Sequence, residues 1–129
     1  MLVINLRNVG ESVVLQCVGR IVAGEEVATL KRIVLSQVTP KAIVLDLSGV
    51  EFVDGAGMGA LVFVQGWTQA TGIRLQLHNP TRHIRELFEL TNLDSVFEIC
   101  PSNDLEKAID KATLAMRTDS GISLPCAHH

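Results

Sequence analysis

The chain has 129 residues, 47% of them hydrophobic, and a formal net charge of −3. This length and composition predict one domain with a single buried core. The sequence has no basic stripe, no signal-like start and no apolar run of about 18 residues, so we expect a cytoplasmic protein that neither binds nucleic acid nor inserts into a membrane.

Two apolar segments rich in valine and isoleucine, Leu2 to Leu6 and Val13 to Val18, begin the chain. The stretch from Asn8 to Ser12 between them has turn composition, so the pair predicts an antiparallel β-hairpin. A helix is then predicted from Gly24, because two acidic residues follow it and suit the positive end of a helix dipole.

The run from Ile43 to Leu47 is short, apolar and rich in β-branched residues, which predicts a strand buried on both faces. Ser48 and Gly49 are expected to turn the chain. Three apolar residues should then return to the core, namely Val50, Phe52 and Val53.

A central helix is predicted after this strand. Asp54 is the expected N-cap, because its carboxylate can accept hydrogen bonds from the free N–H groups of the first turn. The helix should run to about Thr71 and end at Gly72, a typical C-cap residue. Apart from Met58, its first turn is built of small residues, which leaves the N-terminal N–H groups accessible to another molecule.

The remaining pattern predicts a strand at 73–77, a helix with Asn79 as cap and Pro80 at its first position, and a short strand at 96–99. A final helix is expected from residue 101 to 116. The tail 117–129 is expected to be disordered, which leaves a domain of residues 1–116.

The predicted order is β-β-α-β-α-β-α-β-α. Repeated strand–helix–strand units predict parallel neighbours joined by right-handed crossovers, and the first hairpin adds an antiparallel member. The fold class is therefore α/β, with a mixed five-stranded sheet, an N-terminal antiparallel hairpin and four helices.

The start of the central helix, Asp54-Gly55-Ala56-Gly57-Met58-Gly59, resembles the signature D-S-S/T-G-L-G of the STAS domain family of bacterial anti-sigma-factor antagonists. The resemblance continues through Asn79-Pro80 and through Arg85 to Leu93, and it implies the same fold. The family's phosphoacceptor is the second hydroxyl residue of the signature. Here Ala56 occupies that place and cannot be phosphorylated.

The resemblance implies partner switching, in which the protein binds a GHKL-type anti-sigma factor and serine kinase through residues 54–59 and frees a sigma factor. Two alternatives stay open. STAS domains also serve as accessory subunits of transport systems, and a small-ligand or nucleotide sensor could use the helix N-terminus as an anion site.

The sequence shows no candidate catalytic or metal site, so we expect neither an enzyme nor a cofactor. His78 and His83 match no metal-ligand spacing and are expected at the surface or capping a loop. The carboxylates of Asp46 and Asp54 are expected to bind backbone N–H groups. Three widely spaced cysteines are expected to be ordinary core or tail thiols, namely Cys17, Cys100 and Cys126.

Two aromatic residues of the central helix, Phe63 and Trp67, lie four positions apart and therefore close together on its surface. Met58, Leu61 and Val62 suffice for the stripe that faces the sheet. The two rings are either additional core or an exposed patch for a homodimer or another partner.

Overall fold

The computed structural model describes residues 1–100, which form a five-stranded sheet with the strands in chain order from one edge to the other. The strands are β1 (Leu2–Val9), β2 (Ser12–Ile21), β3 (Ala42–Val53), β4 (Arg74–His78) and β5 (Glu98–Cys100). The helices are α1 (Glu25–Leu35), α2 (Gly55–Thr71) and α3 (Arg82–Leu90), followed by a 3₁₀ turn at Leu93–Ser95.

The sheet is mixed, as predicted. Strands β1 and β2 pair antiparallel, whereas β2–β3, β3–β4 and β4–β5 pair parallel. The β1–β2 hairpin closes through a two-residue turn in which Gly10 has φ +62°, a value that glycine adopts without steric cost. The α/β class and the N-terminal antiparallel hairpin are therefore confirmed.

The predicted turn at Ser48 and Gly49 is wrong, because both residues lie inside β3. Strand β3 instead bulges here, because Gln16 and Val18 of β2 are two residues apart and pair with Asp46 and Gly49 of β3, which are three apart. A Cβ at Gly49 would lie 2.9 Å from the carbonyl oxygen of Cys17, so the glycine permits a close approach of the two strands. The turn-like composition thus marks an irregularity between paired strands.

The main hydrophobic cluster lies on one face of the sheet, and all three described helices contribute residues to it. Ala42 and Val44 on the opposite face are also buried, so the first half of β3 is buried on both faces, as predicted. Alternate residues of β3 point into the main cluster, as the period of a strand requires. The core residues contributed by β3 and the helices include Ile43, Leu45, Leu47, Leu30, Val34, Leu61, Val64, Ile84 and Phe88. Phe88 also packs on Phe97, with 5.2 Å between the ring centroids.

The first part of α3 differs from the prediction. The helix begins at Arg82, and its cap is Thr81, whose hydroxyl accepts a hydrogen bond from the N–H of Ile84. Asn79 has φ +57° and therefore belongs to the connection before the helix. The fourth predicted helix, the boundary at residue 116 and the tail 117–129 lie outside the described residues.

Two predicted core positions are exposed. Phe52 is 40% exposed, because it follows the register change and its ring lies beside the Arg20 guanidinium, 5.7 Å from the ring centroid. Val62 is 41% exposed, since the buried stripe of α2 runs along a different line of the helix. That stripe consists of Gly57, Ala60, Leu61, Val64 and Thr68.

Candidate partner-binding site

The start of α2 is fixed by the carboxylate of Asp54. One oxygen accepts a hydrogen bond of 2.7 Å from the N–H of Gly57, and the other accepts one of 3.0 Å from the N–H of Ala23. The backbone N–H of Asp54 donates to the carbonyl of Ile21. The predicted N-cap is therefore confirmed, and the same side chain ties the start of α2 to the loop between β2 and α1.

These hydrogen bonds also set the charge at the helix start. The N–H groups of Ala23 and Gly57, in that order, hold the pKa of Asp54 below its ordinary value of 3.8. A carboxylate that accepts backbone N–H bonds is stabilised in its charged form. Asp54 is therefore ionised at neutral pH, and its negative charge faces the positive end of the α2 dipole.

Gly57 occupies the inward side of the first turn. A Cβ at this position would lie 2.0 Å from the carbonyl oxygen of Ile21 and 2.8 Å from Cγ1 of Val53. A real Cβ does not approach backbone oxygen so closely, so any larger residue would push α2 away from the sheet. Gly57 is a packing residue whose size allows the helix to sit directly on the ends of β2 and β3.

The outward side of the same turn is open. Gly55 and Ala56 are exposed, and a Cβ at Gly55 or Gly59 would meet no atom within 4 Å. Met58 is half-buried and packs against the core. The six residues of the predicted site therefore divide into an anchored part, Asp54, Gly57 and Met58, and an accessible part, Gly55, Ala56 and Gly59.

The outward side continues along α2 without any charged side chain. Phe63 is 47% exposed, and the ammonium of Lys31 on α1 lies 4.8 Å from its ring centroid. Trp67 is half-buried and packs against the core, so it differs from Phe63 in its surroundings. We define the α2 outer surface as Gly55, Ala56, Gly59, Val62, Phe63 and Gly66.

The two histidines considered as candidate metal ligands, His78 and His83, lie in different elements. His83 is exposed on α3, whereas His78 is fully buried in β4, where its Nε2 lies 3.1 Å from Oε1 of Gln76. The expected surface or loop-capping position is thus wrong for His78, because β4 continues through it. Among residues 1–100 no group of three or more histidine, cysteine or acidic residues could hold a metal ion.

Asp46 is buried in β3, and one carboxylate oxygen accepts a hydrogen bond from the N–H of Ser48. Its Cα partner on the next strand is His78, a pairing that the sequence interpretation missed. The sequence offered one clue to this pairing. Asp46 and His78 are each the fifth residue of the paired stretch of an apolar strand, and the two strands are parallel neighbours in the sheet.

Cys17 is a buried free thiol. Burial, and secondarily the negative charge of Asp46, raises its pKa to about 12. Such a thiol stays protonated at neutral pH and is a poor nucleophile. The expectation of an ordinary core thiol is therefore confirmed for Cys17. It is wrong for Cys100, which is disulfide-bonded, and Cys126 lies outside the described residues.

A family model described as "Mlab, STAS domain" matches residues 4–100. The chain belongs to the STAS domain family. The match covers all but the first three of the described residues, including the start of α2. In the described part of this STAS domain, no helix is both long and apolar enough to cross a membrane.

Several solved structures have the same fold. A candidate anti-sigma factor antagonist from Thermotoga maritima is 22% identical with a TM-score of 0.73, over 85% of this chain and 94% of the other. An anti-sigma factor antagonist from Mycobacterium paratuberculosis is 23% identical with a TM-score of 0.68, over 91% and 95%.

A sulfate transporter family protein from Wolinella succinogenes is similar to the same extent. It is 20% identical with a TM-score of 0.67, over 83% of this chain and 88% of the other. At these levels of identity the likeness concerns the fold, which antagonists and a transporter family protein share.

Proposed function

We propose that this STAS domain is an anti-sigma-factor antagonist or a related signalling module that acts by binding, without catalysis or a cofactor. Its proposed partner is a GHKL-type anti-sigma factor and serine kinase in the cytoplasm. The observation that carries the proposal is the accessible side of the first turn of α2, where Gly55, Ala56 and Gly59 leave the backbone exposed.

The geometry suits a docking surface because its shape is fixed before any partner arrives. Asp54 holds the turn through two hydrogen bonds, and Gly57 seats it on the sheet. A surface that is already ordered loses little conformational entropy on binding, which favours affinity. The absence of charged side chains on α2 also lowers the cost of removing water from the contact.

Two glycines of α2 provide a matched test. Gly59 and Gly66 lie seven residues apart on nearly the same side of the helix, and a Cβ at either would meet no atom within 4 Å. Gly59→Arg should weaken binding to the cognate partner about tenfold or more, because it places a bulky charge at the contact. Gly66→Arg adds the same side chain two turns away and should leave the affinity nearly unchanged.

The measurement is isothermal titration calorimetry with the partner recovered by co-purification, after circular dichroism has confirmed that both variants fold. Equal affinity of Gly59→Arg and the wild type would refute docking through residues 54–59. An equal loss of affinity in Gly59→Arg and Gly66→Arg would show that the partner contacts the whole α2 outer surface. It would refute the proposal that the contact is confined to the first turn.

We also propose that the usual phosphorylation switch is absent. Ala56 stands at the phosphoacceptor position and has no hydroxyl. On α2 itself, the hydroxyl of Thr68 is buried and donates to the carbonyl of Gln65. Ser48 is exposed but lies inside β3, seven positions before Gly55, the first residue of α2. The wild-type domain would therefore stay permanently competent for binding.

Two substitutions test this switch. Ala56→Ser should become phosphorylated when incubated with the partner, ATP and magnesium, whereas the wild type should keep its mass. Ala56→Asp adds a negative charge beside Asp54 and should weaken binding while the fold survives, because an acidic residue is tolerated in a first helical turn. ATP-dependent loss of wild-type binding through phosphorylation at Ser48 would refute the absence of a switch.

A second candidate is an accessory subunit of a transport system. It is favoured by the similarity to a sulfate transporter family protein. A subunit that stays bound needs no phosphoacceptor, which agrees with Ala56. Mass spectrometry of co-purified proteins separates the two candidates, since it identifies either a GHKL kinase or the components of a transporter.

The sensor alternative has less support. An anion at the start of α2 would meet the ionised carboxylate of Asp54, which already accepts the N–H of Gly57. The negative charges of the anion and of the Asp54 carboxylate would repel each other, so the start of α2 is a poor nucleotide site. A rise in melting temperature with added nucleotides would contradict this argument.

A further inference from the structure

The two edges of the sheet are protected to different extents. Edge strand β5 has three residues, whereas β1 has eight. Natural proteins protect long edges with lysine, proline, bulges or covering segments. Strand β1 contains no lysine or proline, and its eight pairs with β2 run from Leu2 to Val9 without a register shift. In the described part of the chain, β2 is the strand that pairs with β1.

The backbone groups on the side of β1 that faces away from β2 can be assigned. The N–H of Arg20 donates to the carbonyl of Met1, which makes this couple a hydrogen-bonded pair of the antiparallel ladder. Hydrogen-bonded and non-hydrogen-bonded pairs alternate in such a ladder. The residues whose N–H and C=O groups point away from β2 are therefore the even-numbered ones, Leu2, Ile4, Leu6 and Asn8.

We propose that β1 pairs antiparallel with β1 of a second copy of this chain, about a two-fold axis at Asn5. In this register Leu2 faces Asn8 of the second copy, and Ile4 faces Leu6. All four outward-facing residues then form hydrogen-bonded pairs, so the full length of the edge is satisfied. The result is a ten-stranded sheet through both subunits, closed by a two-fold axis.

The side chains of β1 favour a second copy as the occupant. Leu6 is 47% exposed and would pack on Ile4 of the other copy, which extends the core face across the axis. On the opposite face Val3, also 47% exposed, would cover the stem of Arg7. Arg7 is the one charged residue of β1, and this register keeps it away from its own symmetry mate.

The proposed dimer is compatible with binding at α2. Strand β2 separates β1 from β3, which precedes α2. Edge pairing at β1 therefore leaves both copies of the α2 outer surface exposed. The proposal does not depend on the function proposed above, because it concerns a different edge of the fold.

The test uses charge at Asn5, which is exposed and would face its own symmetry mate. Asn5→Lys and Asn5→Asp should each raise the dimer Kd about fivefold or more, because like charges then stand directly opposite each other. An equimolar mixture of the Asn5→Lys and Asn5→Asp variants should form a heterodimer whose Kd is no higher than that of the wild-type dimer, because opposite charges then face each other. Leu90→Lys adds the same charge at an 81% exposed position of α3 and should change nothing.

Sedimentation equilibrium of the full chain measures these constants, with circular dichroism as the check of folding. A wild type that stays monomeric at all concentrations would refute the proposal. So would unchanged dimerisation of both Asn5 variants, or a mixture that fails to recover the dimer. A dimer that is abolished by Phe63→Ser but not by Asn5→Lys would place the interface on α2 instead, and would also overturn it.

Discussion

Helices α2 and α3 occupy equivalent positions after a strand, but their solvent-facing surfaces differ in charge. Each follows a parallel strand and begins with a side-chain cap, Asp54 in α2 and Thr81 in α3. Helix α3 presents charged residues to solvent, among them Arg82, Arg85, Glu86 and Glu89, and Arg82 forms an ion pair with Glu86. Helix α2 carries no charged residue in 17 positions.

The difference indicates which helix is available for binding. A charged outer face is solvated and costs free energy to cover, as in α3. The α2 outer surface combines glycines with the partly exposed apolar side chains of Val62 and Phe63. Exposed apolar surface at the start of a helix is suited to contact with another protein. Three predictions test this comparison: two concern the inward and outward sides of α2, and the third concerns the caps of α2 and α3.

The largest expected effect concerns the inward side of α2. Gly57→Ala should lower the free energy of unfolding by about 3 kcal/mol, because its Cβ collides with the carbonyl of Ile21. Gly59→Ala is the matched control, since the same methyl group meets open space there. It should raise stability by up to about 1 kcal/mol through helix propensity. Urea denaturation measures both, and equal effects would contradict the assignment of inward and outward sides.

An intermediate effect should separate the two aromatic residues. Trp67→Ser should cost about 2 kcal/mol, because Trp67 is half-buried and packs against the core. Phe63→Ser should cost about 0.5 kcal/mol, since its ring is 47% exposed. Thermal unfolding provides the comparison. A larger loss for Phe63→Ser than for Trp67→Ser would show that Phe63 belongs to the core.

The smallest effect concerns the two caps and their response to pH. The folded-state pKa of Asp54 lies below its ordinary value, so the unfolded state binds the proton more readily. The stabilisation by its carboxylate is complete above the ordinary value of 3.8 and is lost as the pH falls through the lower folded-state value. Asp54→Asn should therefore reduce the loss of melting temperature between neutral and strongly acidic pH.

Thr81→Ala serves as the control for this experiment. The hydroxyl of Thr81 does not titrate, and its hydrogen bond to Ile84 is long at 3.4 Å. The substitution should cost about 0.5 kcal/mol, the low end for an N-cap, at every pH. If the melting temperatures of the wild type and Asp54→Asn fall equally as the pH is lowered to strongly acidic values, the role of the Asp54 charge is refuted.

The sequence by itself determined the features that depend on local chemistry. Alternating apolar residues and a helical period gave the strand and helix order, and Asp54 and Gly72 marked the two ends of α2 correctly. A short polar side chain before a helix and a glycine after it act within one turn of the backbone. Their effects can therefore be read without knowing what packs nearby.

Only the tertiary structure decided the features that depend on neighbouring strands. Ser48 and Gly49 have turn composition, yet pairing with β2 keeps them in β3, where the chain forms a bulge and not a turn. His78 is polar, yet β4 buries it. Gly57 and Gly59 look alike in the sequence, and only the position of the Ile21 carbonyl makes one of them irreplaceable. The reason is that close contacts between strands and helices far apart in the chain override local preference.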